Sequence, residues 1–293
     1  MKDIVFVLRI VVVYSPVECE RRTRMTKRYE ELTISDDFMF GKAMGDKVLC
    51  RDVLERLLEE KVGELEDVQP QREFRYTSDG KPVRLDMYTR DKKRMYDAEM
   101  QNLNHQPVEK LELPKRSRFY QSTMDTDHLS KGKSYRELPE GRVLFLCTFD
   151  PFGRGYAKYS FQNLCKEDRE LYLKDGTEKI FYNCAADPEK VPENLRELYD
   201  YIRTEKVGGD LSRRIDEAVC RARKNEEWRS EYMKELLHDD DVREEGRAEG
   251  EARGTNRFVM LISRMNAGGD TDKVARLDEP EVLLAMRKKY GLE

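Results

Sequence analysis

Asp86, Glu99 and Gln101 stand in the stretch VRLDMYTRDKKRMYDAEMQ, residues 83–101, two short alternating runs joined by a charged turn. In the first run Val83, Leu85 and Met87 alternate with Arg84, Asp86 and Tyr88. In the second, Asp97, Glu99 and Gln101 fall on one face and Tyr96, Ala98 and Met100 on the other. Residues Arg90 to Arg94 are polar and charged, as a hairpin connection should be. If the runs pair as neighbouring strands, Asp86 and Glu99 converge at one end of a sheet. Two converging carboxylates suit a hard divalent cation such as Mg²⁺, which takes oxygen ligands and keeps several waters. Acids at this spacing also occur on ordinary solvated hairpin faces, so the surrounding text has to decide.

That text resembles the PD-(D/E)XK nuclease superfamily, in which an acid on one strand, an acid-x-Lys on the next and a following helix build the active site. Gln101 stands where the Lys would be. With this variant, the chain resembles the Rpn family of recombination-promoting nucleases and transposase-like proteins. The likeness runs from Leu32 to Asn183 through an ordered series: LTISDDFMFGKAM, RLDMYT with YDAEMQ, RSRFYQS, LSKGKSYREL and VLFLCTFDPFG. It implies an α/β, restriction-endonuclease-like mixed sheet flanked by helices, with a helical C-terminal extension. It also implies a metal-dependent DNA endonuclease hydrolysing phosphodiester bonds, of the kind associated with recombination or mobile elements. Asp86, Glu99 and the Met100 carbonyl would hold Mg²⁺, or Mn²⁺ in its place. Gln101 would orient the attacking water without supplying the positive charge of a Lys.

On the next predicted helix, the resemblance makes Arg116, Tyr120 and Gln121 supporting residues. Arg116 and Tyr120, four apart, share a face. Asp97 reads as a supporting acid or as the polar end of its strand. Asp36 and Asp37 read as an extra acid or as helix caps. Candidate DNA contacts are Lys92, Lys93 and Arg94 on the turn and Lys115 and Arg118 on the helix. A second basic stripe, Arg213, Arg214, Arg221, Arg223 and Lys224, is interleaved with acids and makes a weaker case. The rival reading is a DNA-binding or interaction protein that keeps the nuclease fold with little or no catalysis.

The elements needed to position these residues are legible in outline. Ser35 to Lys61 has helical apolar spacing, and Val68 to Tyr76 reads as a first strand ending in the turn SDGKP. Pro107 to Asp127 looks helical despite Pro114. The continuous apolar run VLFLCTF (143–149) suits a central strand buried on both faces, and residues 156–162 are expected to pair with 177–183. Beyond Pro192 the chain turns to charged helix. A nuclease-like domain over 29–205, a charged helical connector over 206–254 and a small helical module over 255–293 are expected. Gly246, Gly250 and Gly254, at steps of four, favour a flexible connector over close helix packing. The C-terminal helices also offer a surface for self-association.

Composition limits the other readings. The chain has 293 residues, 39% of them charged, and a net charge of −4, which gives no broad signal for a polyanionic partner. A local basic groove still works, because salt confines the relevant charges to about 10 Å. Six cysteines without a CxxC pair and three scattered histidines argue for reduced thiols in a cytoplasmic protein and against zinc. No phosphate-cradling or dinucleotide glycine motif occurs. The apolar start, IVFVLRIVVVY, is too short to span about 30 Å of hydrocarbon, so no membrane association is expected. Residues 1–28 read as an extension outside the domain, with Met25 as an alternative start.

Overall fold

The computed structural model describes residues 27–74, 83–102, 107–129 and 131–292. Residues 1–26 of the N-terminal extension, and the SDGKP turn, lie outside these residues. The chain divides into two compact units, one covering Lys27–Arg229 and the other containing Ser230–Glu293.

The first unit is built on a six-stranded mixed sheet: β1 (Gln69–Phe74), β2 (Val83–Arg90), β3 (Arg94–Gln101), β4 (Glu140–Cys147), β5 (Lys158–Phe161) and β6 (Thr177–Asn183), in the order β1-β2-β3-β4-β6-β5. β3, β4 and β6 run parallel, and β1, β2 and β5 are antiparallel to their neighbours. As its apolar run requires, β4 is central, with Val143 to Cys147 all buried. The expected pairing of the 156–162 and 177–183 segments is present, over Lys158–Phe161 and Lys179–Tyr182.

The single helix expected from Ser35 to Lys61 is two helices, α1 (Asp37–Met44) and α2 (Lys47–Leu58). Asp46 explains the break: its Oδ1 accepts from the backbone N–H groups of Val48 and Leu49 at 2.9 and 3.0 Å, capping a new helix. Val48, counted in the apolar pattern, is therefore exposed. Gly41 permits α1 to lie close to the sheet, since a Cβ there would stand 2.9 Å from the Asp86 carbonyl oxygen.

Helix α3 (Pro107–His128) covers the other face, where Tyr120 stacks on Phe145 with ring centroids 6.1 Å apart. After β6 come α4 (Glu193–Thr204) and α5 (Asp210–Arg223). Leu211, Ile215, Ala218, Val219 and Ala222 of α5 are buried, and the Tyr29 hydroxyl donates to the Ala222 carbonyl at 2.6 Å. The boundary expected at residue 205 thus falls inside the unit, because the apolar stripe of α5 packs within it.

In the second unit, α6 (Glu226–Ala267), a 3-10 turn (Thr271–Arg276) and α7 (Pro280–Lys289) enclose a small core of Leu261, Met265, Leu277 and Met286. Gly246, Gly250 and Gly254 lie inside continuous helix rather than a flexible connector, and a Cβ at any of them would meet open space. Among the described residues no helix is long and apolar enough to cross a membrane.

Candidate active site

The β2–β3 hairpin brings Asp86 and Glu99 together through a gap in its own ladder. Backbone pairing runs from Arg90–Met95 to Met87–Ala98. One step further, the carboxylates replace the main-chain partners: the Asp86 N–H donates to Glu99 Oε1 at 2.8 Å, and the Met100 N–H donates to Asp86 Oδ2 at 2.9 Å. Each acid is thereby fixed by the backbone of the opposite strand.

Strict alternation fails at the same place, which corrects the expected face assignment. Val83 and Leu85 share a core cluster with Tyr88, whereas Met87 meets Cys50 of α2 on the other side. In the β1–β2 register, Gln71 falls opposite Asp86, between the pairs Pro70–Met87 and Arg72–Leu85. Gln71 has a left-handed backbone, φ 52°, an uncommon conformation for a residue other than Gly. The kink in β1 and the switch of face in β2 coincide at the first acid.

Three carboxyls are buried here: Asp86 is 5%, Asp97 0% and Glu99 1% exposed. Burial pushes all three well above the usual carboxylate range. The Glu99 charge adds to the rise at Asp86, the Asp97 charge to that at Glu99, and the Asp86 charge to that at Asp97. Asp97 is fully buried and faces Glu99, a second carboxyl, in place of a cation or a backbone donor. Same-face spacing with Glu99 marks Asp97 as a supporting acid or the polar end of its strand; its complete burial, which depends on packing between elements, could not be read.

Arg116 is the cation beside Glu99, and the Arg84 charge also acts on Asp86. The Arg116 guanidinium donates to Gln101 Oε1 at 2.8 Å and to the Tyr120 hydroxyl at 2.7 and 3.1 Å, and lies 3.4 Å from Glu99 Oε2. Gln101 Nε2 in turn donates to the Met100 carbonyl at 3.0 Å. Arg116, Tyr120, Gln101 and Glu99 form one connected network. Gln121 is not part of it. Its amide donates to Asp125 at 2.9 Å and sits over Gly141, which pairs with Met95. That is four residues along β4 from Phe145, the partner of Glu99, or about 13 Å away.

The candidate DNA contacts separate in the same way. Lys92 and Lys93 are on the hairpin turn, at the opposite end of the strands from Glu99, and Arg94 is engaged by Glu60 and Glu140 at 3.1 and 3.2 Å. Lys115 and Arg118 are exposed on α3, flanking Arg116. Asp36 is occupied by Lys27 and Thr33. Asp37 is half exposed, 3.9 Å from Arg84, and its charge contributes to the rise at Asp86. Arg214 of the second basic stripe binds Asp52 at 2.6 Å, and Arg213 binds Glu217 at 2.7 Å.

Among the described residues, no three His, Cys, Asp or Glu side chains converge as a closed metal cage. An open Mg²⁺ site does not need one, because that ion is held by one or two carboxylates and keeps its waters. The donor set of Asp86, Glu99 and the Met100 carbonyl fits such an ion. The carbonyl has a second lone pair beside the Gln101 bond, and a divalent charge would relieve three buried carboxyls whose pKa values stay raised despite the Arg116 and Arg84 charges.

No curated protein and no solved structure matches the chain. A family model described as PD-(D/E)XK nuclease family transposase matches residues 37–183, from the start of α1 to the end of β6. That span covers both acid-bearing strands, the gap between them and the Arg116 helix, and by it the chain belongs to the PD-(D/E)XK nuclease family transposases.

Proposed function

We propose that this protein is a Mg²⁺-dependent DNA endonuclease, with Mn²⁺ able to substitute, in which Asp86, Glu99 and the Met100 carbonyl hold the ion. The observation that carries this reading is the gap in the hairpin ladder, where two buried carboxylates are oriented by backbone N–H groups. Such an arrangement orients one oxygen of each carboxylate through neutral backbone donors. Bound there, the ion would neutralise the phosphate, lower the pKa of a water and stabilise the departing alkoxide.

The chain's own residues do the rest. Gln101 presents an amide at the mouth of the site, and Arg116 fixes that amide through Oε1. Arg116 also returns the positive charge that the Lys-to-Gln change removed, since its guanidinium reaches Gln101 and Glu99 together. A planar, permanently charged fork suits that double contact better than an ammonium group. Tyr120 holds the guanidinium from its other side, and Lys115 and Arg118 flank it toward solvent.

The test is nicking of supercoiled plasmid by the full chain with Mg²⁺, with chelator, and with Glu99→Ala. Nicking that needs the metal and disappears in Glu99→Ala supports the reading. Nicking retained in a Glu99→Ala preparation free of contaminating nuclease refutes it.

A further inference from the structure

The segment after β4, Phe149 to Tyr156, leaves the sheet beside the candidate site. The Thr148 N–H donates to the Gln101 carbonyl at 3.0 Å, and the Thr148 hydroxyl meets Asn102 Oδ1 at 3.0 Å. From there the chain turns back toward β5, and its shape is set from inside. The Asp150 carboxylate accepts from the N–H groups of Phe152, Gly153 and Gly155 at 3.1, 2.9 and 2.7 Å, and from the Tyr159 hydroxyl at 2.7 Å. Burial works against the Asp150 charge, yet these donors hold its pKa below the ordinary value. The Tyr159 oxygen accepts in turn from the N–H groups of Arg154 and Tyr156 at 3.3 and 3.2 Å.

Gly153 and Gly155 take the left-handed φ values, 67° and 72°, that this turn requires. Phe152 pins the segment to the core, its ring centroid 5.0 Å from Tyr159 and 5.1 Å from Phe181. The polar backbone is thus consumed inwardly, while two side chains are left outside. Arg154 is exposed with no ion-pair partner among the described residues, and Tyr156 is 65% exposed. The fixed backbone leaves no loop-ordering cost to binding, and the Tyr156 ring is itself held edge-on against Tyr159 at 5.7 Å.

We propose that this loop is a second DNA contact, in which Arg154 takes a backbone phosphate and Tyr156 packs against the adjoining sugar. The inference rests on the endonuclease reading above and adds a contact outside the acid cluster. The loop's far side is tied to β5, three strand spacings or about 14 Å from β3. A duplex groove is about 12 Å across. With one phosphate at Glu99, the phosphates across the groove would therefore reach Arg154. Among exposed Arg side chains, Arg136 gives a contrast: it lies on the turn that precedes β4, at the other end of the sheet.

The experiment is a salt titration of the full chain with a labelled duplex, followed by anisotropy in Ca²⁺, which fills an oxygen site and avoids turnover. Arg154→Ala should make the slope of log K against log salt shallower by about one and weaken binding about 3–10-fold at 0.1 M salt. Arg154→Lys should restore the slope, Tyr156→Ala should weaken binding about threefold with the slope unchanged, and Arg136→Ala should alter neither. If the parent chain binds DNA with a salt-dependent affinity and Arg154→Ala matches it in slope and affinity, the loop assignment is overturned and the endonuclease reading stands. A parent chain without salt-dependent DNA binding overturns both.

Discussion

The two ends of the β2–β3 hairpin treat a buried carboxylate in opposite ways. At the turn, Asp91 accepts from the N–H groups of Gly63, Lys93 and Arg94 at 3.0, 2.7 and 2.8 Å and from the Tyr96 hydroxyl at 2.9 Å. Burial works against its charge, but those donors win and hold its pKa below the ordinary value. At the other end, Asp86 and Glu99 each have one backbone N–H, Arg116 lies beside Glu99, Asp97 faces the Glu99 carboxyl, and burial raises all three. Acids of the same hairpin are thus divided by their donors. Asp91 is completed by the protein and stabilises it; the cluster is left incomplete, at a cost in stability that the proposed cation would offset. On the proposed function, incomplete pairing, more than acidity, separates the metal-binding carboxylates from the structural one.

The widest separation is expected from truncating one acid at each end. Asp86→Ala and Glu99→Ala should each reduce plasmid nicking by about 10³-fold or more and leave the melting temperature nearly intact, and the double change should be no worse than either alone. Glu99→Ala should also lose the rise in melting temperature that Mg²⁺ gives the parent chain. If Asp91→Ala abolished nicking in protein that is still folded, the division would fail.

Charge replacement sharpens the same contrast. Arg116→Ala should lower the nicking rate about 10²-fold by removing the cation beside Glu99, with Mg²⁺ affinity close to the parent's. Adding Gln101→Lys to that variant should recover part of the loss, since the ammonium returns charge from the motif position. A double variant no faster than Arg116→Ala would assign Arg116 to folding alone.

At the turn end, Asp91→Ala should cost about 1–3 kcal/mol in denaturant unfolding, because the buried Tyr96 hydroxyl and three part-buried N–H groups lose their acceptor. Its folded pKa lies below its unfolded one. The stabilisation is therefore complete above the unfolded carboxylate range and is lost as pH falls through the folded value. The parent and Asp91→Ala unfolding midpoints should converge under acid; a gap that stays constant to the lowest pH would contradict the assignment.

The smallest effect on nicking is expected from the C-terminal unit. In the C-terminal unit Asp270 accepts from Lys273 Nζ and the Tyr290 hydroxyl at 2.7 Å each, and from Lys289, so Asp270→Asn should loosen that unit and leave nicking unchanged. Hydrogen exchange in Leu261–Met286 should quicken, with exchange in β3 and β4 unaltered.

What the sequence revealed follows the range of the interactions involved. Alternation and the charged turn marked the hairpin, and the same-face spacing of Asp97, Glu99 and Gln101 holds in β3. The break in β2 was hidden, because it accompanies Gln71, which reaches Asp86 across a strand pair. Asp91 looked like one more turn charge, since its donor Gly63 comes from 28 residues earlier. Arg116 and Tyr120 were visible as an i, i+4 pair, whereas Gln121, next in line, turns to Asp125. The distance of Lys92 and Lys93 from the acids was already present in the strand lengths.

The central claim is that Asp86 and Glu99 form an incomplete site for a divalent cation, and anomalous scattering from crystals soaked in Mn²⁺ tests it most directly. The account predicts a Mn²⁺ peak in contact with carboxylate oxygens of both residues, absent in Glu99→Ala. Mn²⁺ bound elsewhere, with those oxygens uncontacted at saturating metal, would contradict it.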